Sequence, residues 1–531
     1  MLHDTKSHRG PSESLLVWIV LVGLLILAGL LPFWRLGDRD LWSSHEARAA
    51  SNARSLLEPG NNGLPRGETG AFELQKPPLF YWLVAGIAFW RGGVDELAVR
   101  LPSALAAVVT LLALVLGIGL GLGRPLAAVL AGLILATGIH FPWLARIGRI
   151  DMPLTAAVSL SALSFLVLLN RRLSPLARWG LVLLGWSACT VGVLLKGPIG
   201  LLLPGAIVVA HLLLEGRWPA FWEYRAWADL LARLKLGSGI AILLTVVVPI
   251  FLWLDHVSEG QFAREFLWLH NVQRGLGGSR LRSHPWWLYF PFLGLYLLPA
   301  TPFLLLGLFR WRDWWADGTA RLGLAWLVGV FLLLSAAHFK RADYLLPAYP
   351  GAALLLGCIV ERWLARPWGE RVLAGVVLVV LLSLTGWVYR VGWSLPAEEP
   401  YRDYRVFARH INAQANSTER VIFFRTEAHA LAFRLGRPIV RLVEWHELQS
   451  QLRQPGTHLL VLPVALADEV RHRLADCSFE LLCQNTSPTR NHERPMLCWR
   501  AGRARATAAV SFAASKPCQN CQPCPPSPTN R

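Results

Sequence analysis

The stretch LWSSHEARAA (41–50) sets His45 beside Glu46 and two residues ahead of Arg48. An imidazole next to a carboxylate can carry general acid–base chemistry, and a nearby guanidinium can hold an anion. With a reference pKa of about 6.5, a histidine supplies neutral imidazole as a base near neutral pH. Two assignments stay open. Either His45 is the base and Glu46 orients it, or Glu46 is the base and His45 binds phosphate or metal. Asp151, in RIGRIDMPL, stands where a basic loop enters an apolar run and is followed by Pro153. Aspartate and proline suit the start of a helix, so capping alone and capping with chemistry both fit. Lys196 in LLKGPIG lies at a break between two apolar runs, and Lys340, Arg341 and Tyr344 lie together in HFKRADYLLPAYP. Each is either a long side chain reaching out of an apolar surface or a charge kept for a ligand. His270, in FLWLHNVQRGL, is a base, a metal ligand or an interfacial histidine without a role. Cations gathered with a few acids suit a lipid-borne phosphate: the cations neutralise it as it leaves, and a base takes the acceptor's proton.

The elements that position these groups are membrane helices. The 531 residues are 54% hydrophobic and 16% charged, with the apolar residues in long runs such as LLVWIVLVGLLILAGLL. Soluble domains carry about 25% charged residues. Runs approaching roughly 20 apolar residues cross a bilayer, and only as helices when their backbone must be paired inside lipid. Spans are expected near 15–33, 100–121, 125–143, 152–169, 179–195, 198–214, 237–255, 286–309, 321–337, 345–361 and 372–391. LFYWLVAGIAFW (79–90) is short for a span and suits a juxtamembrane or re-entrant helix. HEARAASNARSLLE reads as a short helix on the membrane surface. The glycines of GIGLGLG (117–123) read as a close helix contact rather than a dinucleotide loop.

The net charge of +18 resides largely in loop arginines. That fits positive-inside topology and anionic lipid headgroups, and it disfavours a nucleic-acid partner. With Lys6 and Arg9 inside and 79–90 not crossing, NRRLSPLAR, RWRDWW and ERWLARPWGER also fall inside. HEAR, LQKPP, GRIDMP, KGP and HFKRADY then share the outer face, joined by the loop 256–285.

Composition changes near 396. RVIFF, RPIVRL and HLLVLPV read as strands, with helices near 401–414, 427–434 and 463–474. The expected fold is an all-α polytopic membrane protein of about 11–13 transmembrane helices with a small C-terminal α/β soluble domain. The expected domains are 1–392 (with 34–99 as the first outer loop), 393–500, and a disordered tail, 501–531. Cys518, Cys521 and Cys524 of that tail have zinc-like spacing but lack a fourth ligand and a folded frame. Cys189 and Cys358 are expected to be packing residues.

HEAR, LQKPPLFYWL, RLPSAL, RIDMPLT, LLKGPIGLLLPG, HNVQR and DYLLPAYPG occur in that order over residues 10–365. As an ordered set they resemble the C-type glycosyltransferases that use polyprenyl-phosphate sugars, the superfamily of the bacterial lipid A aminoarabinose transferases and the dolichyl-phosphate-mannose–protein mannosyltransferases. The resemblance implies an inverting membrane glycosyltransferase of the bacterial inner membrane. Its catalytic loops and C-terminal domain would face the periplasm. Its partners would be a polyprenyl-phosphate sugar donor, membrane lipids, and a lipid, glycan or protein acceptor. It also implies catalytic roles for His45, Glu46 and Asp151, and places Arg48, Lys76, Lys196, Lys340 and Tyr344 near the carrier phosphate. His270 matches a histidine that helps bind a divalent metal. Two positions depart from the family pattern: His45 stands where an aspartate is usual, and Gln75 where the metal's partner glutamate is usual. Competing readings are a transporter or flippase of a lipid-linked solute and a non-catalytic binder of the carrier.

Overall fold

The structure, a computed structural model, describes residues 15–273, 284–416, 418–485 and 495–503. Among these, eight helices are long and apolar enough to cross a membrane, and the bent pair Trp286–Tyr296 and Thr301–Phe309 forms a ninth candidate. Three shorter apolar helices accompany them: Leu79–Arg91, Pro125–Thr137 and Ile199–Leu214. This is the expected polytopic helical architecture. The Leu79–Arg91 helix is 13 residues long and stops at Gly92, which takes φ 78° and closes the helix in the left-handed conformation.

The helix Asp151–Asn170 is the axis of the bundle, with 94% of its apolar window buried. It packs against the helices Glu96–Leu114, Pro175–Lys196 and Ile199–Leu214. Small residues allow the approach. A Cβ on Gly200 would come within 2.1 Å of the Gly192 backbone, so the helices flanking the KGPIG turn touch main chain to main chain. That contact fixes the position of Lys196 at the end of its helix. The GIGLGLG run makes the expected close packing, with Gly117 against Leu163 and Gly121 against Val167.

The C-terminal part contains a five-stranded sheet of order β2-β1-β3-β5-β4. Its strands are β1 (Arg420–Phe424), β2 (Ile439–Leu442), β3 (Thr457–Pro463), β4 (Cys477–Gln484) and β5 (Met496–Arg503). β1 pairs in parallel with β2 and β3, and β5 pairs antiparallel with β3 and β4. The three expected strands are present. The β4–β5 hairpin and the helix Trp445–Leu452 were not foreseen, and β5 extends into the segment expected as tail. The Cys518–Cys524 motif lies outside the described residues.

The sheet domain docks on the first outer loop. Ala47, Ala50 and Ala53 of the helix Ser44–Leu56 share one buried cluster with Leu431, Phe433 and Phe407 of the C-terminal part. Arg54 donates to the Phe433 carbonyl at 2.6 Å, Arg434 pairs with Asp40 at 2.5 Å, and His429 meets Glu68 at 3.0 Å. The helix expected to lie on the membrane surface thus spends its apolar face on the C-terminal domain. Alanines allow that close approach, and Leu57, at the end of the helix, is left exposed.

Candidate active site

The outer-face motifs converge on one narrow cavity. His45, Arg48, Glu73, Gln75, Lys76, Arg149, Asp151, Lys196, Arg341 and Tyr344 all line it. The helix Ser44–Leu56 supplies His45 and Arg48, and the KPP turn before the helix Leu79–Arg91 supplies Lys76. The GRID turn supplies Arg149 and Asp151, and the KGP turn supplies Lys196.

Asp151 is the hub. Its Oδ1 accepts from Lys196 Nζ at 2.7 Å, and its Oδ2 faces Arg149 Nη2 at 3.0 Å. It is the first residue of its helix, and the cap position before it is Ile150, which offers no side-chain bond. The carboxylate therefore serves the cavity rather than the helix terminus. Lys196 does not reach out to solvent. It turns inward and lies 3.9 Å over the Tyr344 ring, a cation–π contact. Arg149 also donates to Asp343 at 2.6 Å, and Asp343 faces His140 Nε2 at 3.2 Å. Arg149 and Asp343 were missed as site residues, although RIGRIDMPL and HFKRADY contain them.

His45 Nδ1 lies 3.1 Å from Arg48 Nη2. A guanidinium only donates, so Nδ1 accepts and the neutral ring carries its proton on Nε2. Burial, then the charges of Arg149, Lys76, Arg341 and Arg48, lower the His45 pKa to about 2. In this state the ring is neutral and offers its Nε2–H as a hydrogen-bond donor. Burial and the adjacent Lys196 charge likewise lower Lys76 to about 8.

Glu46 does not line the cavity. It is fully buried against Arg100 and Arg39. Oε1 accepts from Arg100 Nε at 2.7 Å, Arg39 Nη2 at 3.3 Å and the Gly148 amide at 3.3 Å. With Ser43 it also closes the capping box that starts the helix Ser44–Leu56. Arg100 in turn holds the carbonyls of Leu36, Arg39 and Asp40. The expected place of Glu46 beside the acceptor is thus corrected by its burial between two arginines. Although burial alone would raise it, these cations hold the Glu46 carboxyl at about 2. Lys340 is also displaced from its expected place. It is buried, and its ammonium donates to the carbonyls of His284 and Ala337 instead of facing the cavity.

The His270 side chain lies outside the described residues. Gln75, at the expected partner position, is exposed at the cavity and offers a neutral amide. Among the described residues, no three His, Cys, Asp or Glu side chains gather to hold a metal ion. Glu73 and Asp151 are the carboxylates that line the cavity among the described residues, and Asp151 is already paired with Lys196 and Arg149.

Residues 75–253, which carry most of this cavity, match the family described as dolichyl-phosphate-mannose-protein mannosyltransferase. The chain also resembles ArnT from Cupriavidus metallidurans, solved bound to undecaprenyl phosphate. That likeness has a TM-score of 0.75 and 19% identity, covering 91% of this chain and 98% of that one. The chain therefore has an ArnT-like fold. Among curated relatives, arabinosyl transferase 2 of Pseudomonas fluorescens, named for undecaprenyl phosphate-alpha-4-amino-4-deoxy-L-arabinose, is 29% identical over 380 residues. The match covers 70% of this chain and 65% of that relative. The corresponding transferase of Edwardsiella ictaluri is 30% identical over 347 residues, covering 65% of this chain and 59% of the relative. The match thus spans a little under two thirds of these relatives' own length.

Proposed function

We propose that this chain is a membrane glycosyltransferase that takes a sugar from a polyprenyl-phosphate carrier and passes it to a lipid, glycan or protein acceptor. The observation that carries this reading is one cavity lined by five cations, Arg48, Lys76, Arg149, Lys196 and Arg341, around the carboxylate of Asp151. The names of the relatives supply the donor class. The acceptor oxygen attacks the anomeric carbon, and the bond from that carbon to the phosphate oxygen breaks. Its electron pair leaves with the polyprenyl phosphate, whose charge the cations neutralise. One-step attack from the far side inverts the anomeric centre. Asp151 takes the proton of an acceptor hydroxyl. The carrier phosphate competes for Lys196 and Arg149, and their shift toward it releases Asp151 to act as a base. His45 donates its Nε2 proton to the phosphate or sugar, and Glu46 is a positioning residue that sets the start of the His45 helix.

The cavity is narrow, about 40 Å³, room for little more than a couple of waters, so its long side chains must part to admit a sugar phosphate. We infer that the reaction takes place at the periplasmic face of the bacterial inner membrane, on the same side as the C-terminal domain. Two experiments test this reading. Purified protein in liposomes is incubated with labelled polyprenyl-phosphate sugars. Failure to transfer to any acceptor, to hydrolyse the donor or to bind it would overturn the assignment. Membrane-impermeant labelling of single cysteines in 393–500 tests the face, and labelling only from the cytoplasm would refute it.

A further inference from the structure

A second polar cavity, of about 700 Å³, opens at the other end of the bundle, lined by Arg124, Asn170, Arg171, His211, Glu215, Asp317 and Glu361 among others. Its volume lies within the roughly 300–1,000 Å³ typical of small-ligand sites. The helix Asp151–Asn170 runs from the candidate active site to this cavity, and its 20 residues span about 30 Å. The helices Ile199–Leu214 and Tyr349–Leu364 end here, and the helix Gly318–Ala336 begins here. The cavity therefore lies at headgroup depth on the membrane face opposite the transfer site.

The acids of its wall are already paired. Arg124 bridges Asp317 and Glu361, and Arg321 holds Glu215 with two bonds of 2.7 and 2.9 Å. Arg171 has no carboxylate partner among the described residues, and its Nε reaches only the Gly121 carbonyl. His211 is 2% exposed. Arg217 donates to Asn170 Oδ1 at 2.8 Å, which fixes the amide. Asn170 Nδ2 then donates to the Leu166 carbonyl and to His211 Nε2 at 3.1 Å. Nε2 accepts, so the proton sits on Nδ1, and Nδ1 has no partner among the described residues. A buried donor without an acceptor is costly and marks a place where a ligand oxygen belongs.

We propose that this cavity binds a phosphate ester, with Arg171 and the Nδ1–H of His211 as its donors. A guanidinium without an acid partner and a neutral N–H donor match phosphate oxygens. At headgroup depth the source is a phospholipid of that leaflet, or else a soluble phosphate ester. The site is separate from the proposed transfer centre and does not depend on it.

The test uses delipidated full-length protein. Native mass spectrometry follows rebinding of phosphatidylglycerol and phosphatidylethanolamine, with diacylglycerol as the phosphate-free control. Thermal shift follows glycerol 3-phosphate and inorganic phosphate. One phospholipid is expected per chain and no diacylglycerol. Arg171→Gln and His211→Gln each weaken binding about tenfold. Arg171 is exposed, so its loss does not endanger folding, and Arg171→Lys restores part of the affinity. Stabilisation by glycerol 3-phosphate or inorganic phosphate without phospholipid retention supports the phosphate site and assigns it to a soluble source. Equal retention of diacylglycerol, or unchanged binding in both glutamine variants, overturns the proposal.

Discussion

Replacing Glu46 with glutamine separates a scaffold residue from a catalytic base. The carboxylate is fully buried and accepts from Arg100 and Arg39. Its pKa falls from 4.5 to about 2, which at 1.36 kcal/mol per tenfold change in acidity is worth about 3 kcal/mol of stability. Removing one partner of a buried ion pair costs about 3–5 kcal/mol by a separate route, because the other charge stays buried. Both magnitudes predict a clear loss of thermal stability for Glu46→Gln in detergent. The sign with pH follows from the depressed pKa. The contribution is complete above pH 4.5 and is lost as pH falls toward 2, so the gap between wild type and variant closes in acid. At a temperature where the variant is folded, donor turnover should stay within about tenfold of wild type. General-base catalysis contributes about 10²- to 10⁴-fold. A variant that melts like wild type but loses turnover a hundredfold or more would refute the scaffold role.

Asp151→Asn, which keeps the shape but not the charge, should lower kcat for a hydroxyl acceptor by about 10²- to 10⁴-fold while donor binding persists or tightens. Radiolabelled transfer and donor binding measured side by side check this. Donor affinity should weaken as pH rises past about 8, because Lys76 must carry its proton to hold the phosphate. Lys76→Arg, whose charge persists, should remove that limb from the profile of KM against pH. His45→Gln keeps an N–H donor, so turnover should stay within about tenfold, and the rate profile should be flat near pH 6.5. A limb near pH 6.5 that this substitution abolishes would make the imidazole the base.

The helices were legible because lipid leaves an apolar run no other fold, and the breaks at KPP and KGP announced their own geometry. The cavity was legible as a set of polar turns on one face. Which side chains turn into it was not. Glu46 and Lys340 looked equivalent in sequence to Lys76 and Lys196, yet packing aims the first two away from the cavity. The sequence analysis took His45 and Glu46 as a pair, and only the packed structure showed that His45 meets the cavity and Glu46 meets Arg100. The docking of the sheet domain was also hidden, because its contacts join residues far apart in sequence, such as Glu68 with His429. The β4–β5 hairpin escaped because β4 alternates weakly between buried and exposed positions.

His45 and Gln75 line the same cavity, while the neighbouring Glu46 points its carboxylate away from it. The difference follows from what each side chain touches. Glu46 closes a capping box and neutralises buried arginines, so it cannot change without loosening the first outer loop. His45 and Gln75 face the cavity, where a change alters charge but not the frame. Asp151 and Glu73 are the acids that line the cavity among the described residues, against five cations. The surplus positive charge favours a phosphate and disfavours a resident divalent cation. After burial, the larger cause, it also depresses the basicity of His45, because the charges that attract the carrier repel a proton from the ring. A bound phosphate reverses that repulsion, so His45 should gain basicity only in the donor complex. NMR titration of the ring with and without an undecaprenyl phosphate analogue should show its pKa rise on binding, and an unchanged ring would disprove contact between His45 and the phosphate.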